Sequence, residues 1–142
     1  MSDEIPARRP DFDFWLGEWA VHLRDTEELV GHSHIARGQL GHVLIENYTT
    51  ANGKFSGMSL NGYDHVAGQW HQCWMDMTGL VLDLYGNVVD GAMVMSGVVQ
   101  PGKQERITWT PDPDGSVRQH WQQSTNDGVT WATVFDGTYR RQ

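Results

Sequence analysis

Two short stretches place carboxyl, phenol, amide and indole groups at alternate positions, the spacing that puts side chains on one face of an extended chain. In Val43-Leu44-Ile45-Glu46-Asn47-Tyr48-Thr49 the shared face carries Glu46 and Tyr48; in Trp70-His71-Gln72-Cys73-Trp74-Met75-Asp76 it carries Trp70, Gln72, Trp74 and Asp76. A carboxyl turned inward among indoles is poorly solvated, and its pKa rises toward the range a general acid or neutral-pH base needs. Glu46 and Asp76 are therefore the candidate acid–base groups, with Tyr48 as hydrogen-bond donor, for isomerisation, dehydration or cyclisation of an apolar substrate. The same groups suit recognition alone. Val117, Gln119, Trp121 and Gln123 repeat the mixture, so Trp74 and Trp121 could stack a planar molecule while Gln72, Asp76 and Gln119 orient it. The candidate ligand-binding set is Tyr48, Met58, Gln72, Trp74, Asp76, Trp109, Gln119 and Trp121, and an extended wall adds Trp70, Trp131, Met93 and Met95.

Other reactive residues carry weaker signals. His32 and His34 share a strand face and could supply two metal ligands, but the spacing that would bring a third or fourth is missing, so no metal is expected. Their plainer role is as solvent-facing residues of an exposed strand. Cys73 alternates away from Trp74 and Asp76 and reads as an inert thiol on the opposite face. No Gly-x-Ser-x-Gly elbow accompanies the serines.

The elements that must position these groups follow from composition and turns. The chain has 142 residues, with 39% hydrophobic and 20% charged side chains and seven Trp, which is the composition of one globular domain rather than a disordered chain. A net charge of -8 repels a phosphate backbone, so nucleic acid is not an expected partner. No apolar run approaches a bilayer-spanning length, and no membrane partner is expected. The lone Cys73 and an N-terminal MSDEIPARRP without an apolar core point to a reducing, cytoplasmic compartment.

Turn signals recur at Gly31, Asn52-Gly53, Ala67-Gly68, Asp90-Gly91, Pro101-Gly102, Asp114-Gly115 and Asp127-Gly128, with about 8 to 12 residues between them, the spacing of an antiparallel all-β domain. Period-two reading predicts about ten strands, near 17–24, 32–40, 42–50, 55–63, 69–77, 79–87, 92–99, 105–110, 116–124 and 130–140. A dry sandwich core would strand the Gln and Asp of these faces without partners, at about 1–3 kcal/mol each. A single up-and-down barrel around a partly wet cavity removes that conflict and leaves no open edge. Phe12, Phe14 and Trp15 just before the first strand predict a short helical or 3₁₀ plug at one end. The expected organisation is thus a flexible arm over residues 1–10 and a barrel domain over 11–142.

Phe12-Asp13-Phe14-Trp15-Leu16-Gly17-Glu18-Trp19 contains the Gly-x-Trp element that opens the first strand of lipocalins and other calycins. Together with Gly57-Met58-Ser59-Leu60-Asn61-Gly62-Tyr63-Asp64, the Trp70–Asp76 stretch and the ending Phe135-Asp136-Gly137-Thr138-Tyr139-Arg140, it resembles the bacterial family of unknown function DUF1579, over about residues 11–141. The resemblance implies a calycin-type barrel and brings no activity. In lipocalins a basic residue of the last strand stacks on the Gly-x-Trp indole, so the resemblance implies Arg140 or Arg141 over Trp19. Nitrobindins are also ten-stranded calycin barrels and hold haem through a His near the C-terminus. This chain has no His after His120, which leaves only Tyr139 or His120 as substitutes, and no cofactor is expected. Ser124-Thr125-Asn126-Asp127-Gly128-Val129-Thr130-Trp131 resembles the Asp-box hairpin of sialidases, with Asn126 in place of Asp, and implies a turn device rather than a glycosidase.

These readings leave three classes open. The first is a lipocalin-like barrel binding a small hydrophobic or aromatic molecule in its lumen. The second is a cofactor-independent isomerase, cyclase or lyase using Glu46 or Asp76. The third is an assembly protein, a homodimer formed through edge strands or exposed aromatics.

Overall fold

A computed structural model describes residues 4–142. Ten antiparallel strands follow one another: β1 (Gly17–Leu23), β2 (Leu29–Gly38), β3 (Val43–Thr50), β4 (Ser56–Asp64), β5 (Gln69–Asp76), β6 (Val81–Val89), β7 (Ala92–Gln100), β8 (Lys103–Pro111), β9 (Val117–Ser124) and β10 (Ala132–Arg141). Each pairs with its neighbours in sequence, and β1 pairs with β10 from Trp19↔Arg141 to Leu23↔Gly137, so the sheet closes into a barrel without a free edge. Six of the nine turns fall where the sequence marks them. Gly31 instead lies within β2, paired with Val21 and Thr50, where its missing side chain makes room for the Tyr48 phenol, and the β1–β2 turn comes before Leu29. Between β6 and β7 both residues of Asp90-Gly91 have positive φ, at 50° and 82°, the tight hairpin whose twist matches that of the strands. In the β9–β10 turn Asn126 Oδ1 accepts the Thr130 N–H at 2.9 Å and Gly128 N–H donates to Ser124 Oγ at 2.8 Å, while Trp131 Nε1 donates to Gly128 O.

The N-terminal element is a single 3₁₀ turn, Asp13–Trp15, and not a helix. Three residues give one turn of i→i+3 bonds, enough to aim two rings inward but too short for a helical ladder. Phe12 and Trp15 are fully buried. Phe12 stacks on Trp15 with centroids 4.8 Å apart and meets the edges of Trp70 and Trp109 at 5.9 and 5.2 Å. Trp19, Ile35, Leu44, Leu84, Met93 and Met95 complete this core, so one end of the barrel is packed solid. Each ring withdrawn there contributes roughly 1.5–3 kcal/mol by area alone. Arg141 lies 4.3 Å over the Trp19 ring and donates to Leu16 O, so the stacking partner is Arg141; Arg140 instead faces Glu27.

The expected flexible arm over 1–10 falls partly on residues 1–3, outside the described residues. Within its remainder, Arg8 pairs with Asp13 at 2.8 Å, and Arg9 pairs with Asp11 while lying over Tyr63. No helix among the described residues is long and apolar enough to cross a membrane.

Candidate functional site

The end of the barrel away from the 3₁₀ turn holds a cavity of about 460 Å³. Alternation along the strands builds it. β3 turns Glu46 and Tyr48 inward, β5 turns Gln72, Trp74 and Asp76, and β9 turns Gln119 and Trp121, while β10 supplies Phe135 and Tyr139. Leu82 and Ile107 fill between them, and Phe55, Thr78, Leu80 and Val134 stand at the mouth. Six of the eight ligand-binding candidates, Tyr48, Gln72, Trp74, Asp76, Gln119 and Trp121, therefore line one space together with Glu46.

Two candidates do not. Met58 is 43% exposed on the outside of the barrel, opposite Met75. Its strand carries Ser59 and Asn61 inward instead, because those two polar side chains complete a buried hydrogen-bond chain. Trp109 does point inward, but it lies in the packed end against Phe12 and Trp15; its Nε1 donates to Gln119 Oε1 at 3.0 Å, so it positions a lining residue from below. The expected continuous aromatic wall is split in the same way. Trp70, Met93 and Met95 belong to the packed end, and Trp131 sits in the β9–β10 turn under Arg106, 4.0 Å from its guanidinium.

The buried chain runs from β5 to β3. Gln72 Nε2 donates to Asn61 Oδ1 at 2.8 Å, Asn61 Nδ2 to Ser59 Oγ at 2.9 Å, and Ser59 Oγ to Glu46 Oε1 at 2.7 Å. All four side chains are buried. Desolvation pushes the Glu46 carboxyl up to about 7, against opposing pulls from Ser59 and Ser33. Ser33 is near enough to favour the ionised form, yet its Oγ has no partner at hydrogen-bonding geometry. Burial, with the Glu46 charge in second place, also raises Tyr48 and Tyr139, so both phenols stay protonated beside it.

Asp76 does not meet the condition expected of an acid–base group. Burial opposes its ionisation, but donors from Thr78 and from Trp74 Nε1, the latter at 3.0 Å, outweigh it and hold the carboxyl below the ordinary carboxylate range. Asp76 is a fixed anion at the mouth that ties down the Trp74 indole. Trp121 is held likewise: its Nε1 donates at 2.6 Å to Glu105, whose other oxygen accepts Gln123 Nε2 at 2.7 Å. Both indoles therefore spend their N–H on carboxyls while their rings line the cavity. Gln72 keeps its Oε1 as an acceptor and Gln119 keeps its amide NH₂ as a donor.

Sequence reasoning did not single out Glu105. Its alternation with Ile107 and Trp109, which places a carboxyl on an otherwise apolar face, is the signal that would have found it. It also passed over Gly57 and took Gly31 for a turn; a Cβ at either would clash with the Trp74 or Tyr48 ring, so these glycines let the two rings pack close against the wall and leave the centre open. The outer face takes the remaining candidates. His32 and His34 are exposed on β2, and no group of three His, Cys, Asp or Glu among the described residues converges on a point that could hold a metal. His120 faces outward toward Thr133, away from the lumen, whereas Tyr139 lines it. Cys73 is half-buried on the outer face, its thiol pushed up by burial and by Asp83.

The chain matches no family model and no curated protein.

Proposed function

We propose that the barrel is a lipocalin-like receptor that takes a small hydrophobic or aromatic molecule into its lumen, and that its likeness to DUF1579 and the calycins reflects common ancestry. The observation that carries this reading is a cavity of about 460 Å³, the size of a drug-like ligand site, with aromatic and aliphatic walls and few polar groups. Trp74 and Trp121 present stacking faces whose N–H groups are already bonded, so a ligand entering between them leaves no indole donor unpaired. Gln72, Gln119 and Glu46 are the orienting groups. The lone free thiol of Cys73 suits a reducing compartment, and a cytoplasmic site of action belongs to the same proposal.

Titration of Trp fluorescence with a panel of apolar and aromatic compounds tests the reading. Saturable quenching, weakened about tenfold or more by Trp74→Leu or Trp121→Leu, is the expected result. A panel without any saturable response would sink it.

Glu46 favours one second reading, a cofactor-independent isomerase, cyclase or lyase acting on an apolar substrate. A buried carboxyl with a pKa near 7 exchanges protons readily at neutral pH, and the protonated Tyr139 phenol lines the same cavity, whereas Tyr48 gives its O–H to Val30 O. On that reading Glu46→Gln retains measurable binding and loses turnover by at least about 100-fold; parallel loss of both returns the site to recognition alone.

A further inference from the structure

Every formal charge facing the cavity is acidic. Glu46 lies at its inner end and Asp76 at its mouth, and Glu105 is buried directly behind Trp121. None of the ten Lys and Arg residues, and none of the seven His, lines the space. The lumen is thus a low-dielectric pocket with a one-sided field, which repels a carboxylate ligand and draws a positive charge inward. The rings act in the same sense. Trp74, Trp121 and Tyr48 line the cavity, and the two indoles donate their N–H groups to carboxyls, which makes their π systems richer in electrons and better partners for a cation.

We infer that the ligand is an apolar cation, a lipophilic amine or quaternary ammonium, whose charged nitrogen seats against Glu46 while its hydrophobic body stacks on Trp74 and Trp121. This deepens the receptor reading above and rests on it. A fatty acid or aromatic carboxylate, the obvious cargo for an apolar barrel, is the ligand this lumen is built against.

The inference carries a proton balance. Around neutral pH part of the population holds a proton on Glu46, and a permanent cation entering that seat makes the carboxylate the favoured form, so the proton leaves to solvent as the ion pair forms. The groups facing Glu46 are Ser33 from β2, Ser59 from β4, Tyr48 on its own strand and Tyr139 from β10. Both tyrosines stay neutral over the range concerned, which leaves Glu46 as the group that responds.

Three probes of one size test it on the intact chain by Trp fluorescence and calorimetry: benzyltrimethylammonium, its uncharged carbon isostere neopentylbenzene, and phenylacetate. At pH 8 the cation should bind at least about tenfold more tightly than the isostere, and phenylacetate most weakly. At pH 6 the cation's advantage should shrink by about fivefold to tenfold as Glu46 takes up its proton, and the heat of binding should depend on the buffer because a proton is released. Glu46→Gln should bring the ratio of cation to isostere close to one; should that variant fail to fold, the wild-type pH dependence carries the same test. Equal binding of cation and isostere, or tightest binding of phenylacetate, overturns the cation assignment while leaving luminal binding intact. Loss of the advantage in Asp76→Asn but not in Glu46→Gln overturns the seat. Binding of none of the three overturns the receptor reading itself.

Discussion

The two ends of the barrel are built from the same parts and do different work. At the packed end Trp70 donates its N–H to Asp11 and Trp109 donates to Gln119, both at 3.0 Å; at the open end Trp74 donates to Asp76 and Trp121 to Glu105, at 3.0 and 2.6 Å. Each is an indole tied to an oxygen acceptor. What separates them is the space over the ring. At the packed end Phe12 and Trp15 fill it, and at the open end Gly57 and Gly31 keep neighbouring walls thin so that it stays empty. An aromatic is core or site according to what a distant segment places against its face.

Removing the filling should give the largest effect. Trp15→Ala is expected to cost about 3–5 kcal/mol in chemical denaturation, whereas Trp121→Ala, with one face already on the cavity, should cost roughly half as much. Equal costs would mean that the open end is packed too. Next comes Glu46, whose folded pKa of about 7 stands above the ordinary 4.5. The folded chain holds that proton more tightly than the unfolded one, so the stability it confers is full below pH 4.5 and is lost as pH rises toward 7. The loss amounts to about 3 kcal/mol. Glu46→Gln should flatten the fall in stability between pH 5 and pH 8, as followed by urea midpoints; an unchanged slope would place the ionisation elsewhere.

Gly57→Ala sharpens the contrast at smaller cost. The added methyl must push the Trp74 ring off the wall, for about 1–3 kcal/mol of stability, with a shift in Trp emission and a smaller lumen. The same substitution at Gly53, where a Cβ meets nothing, should leave the emission unchanged even though its φ of 70° adds backbone strain. The smallest effect belongs to the packed end's rim: Arg141→Ala should cost about 0.5–1 kcal/mol through its stacking on Trp19, measured by thermal unfolding.

Much of this architecture was legible. Turn residues at regular spacing marked ten strands, and the observed ones differ from the expected by a few residues at their ends. The mixture of indoles with Gln and Asp on β5 and β9 pointed to a cavity, and those strands do line it. The reading failed on β4. There hydrophobicity placed Met58 inside, whereas Gly57, Ser59 and Asn61 face in and Met58 and Leu60 face out. Ser59 and Asn61 are needed inside because Glu46 on β3 and Gln72 on β5 would otherwise be buried without partners, a penalty larger than that of exposing two apolar side chains. Those partners lie 13 and 11 residues away along the chain, beyond any local pattern.

Strand number, most turn positions, all-antiparallel order and closure follow from the sequence alone, since each depends on local backbone preference and on alternation within a single strand; Gly31, marked as a turn, proved to be a strand residue. Three features were decided only by tertiary structure: which face of β4 is buried, which indoles face empty space, and why Glu46 is pushed up in pKa while Asp76 is held down. Each depends on groups brought together across strands, and burial and hydrogen-bond distance exist only once the barrel has closed.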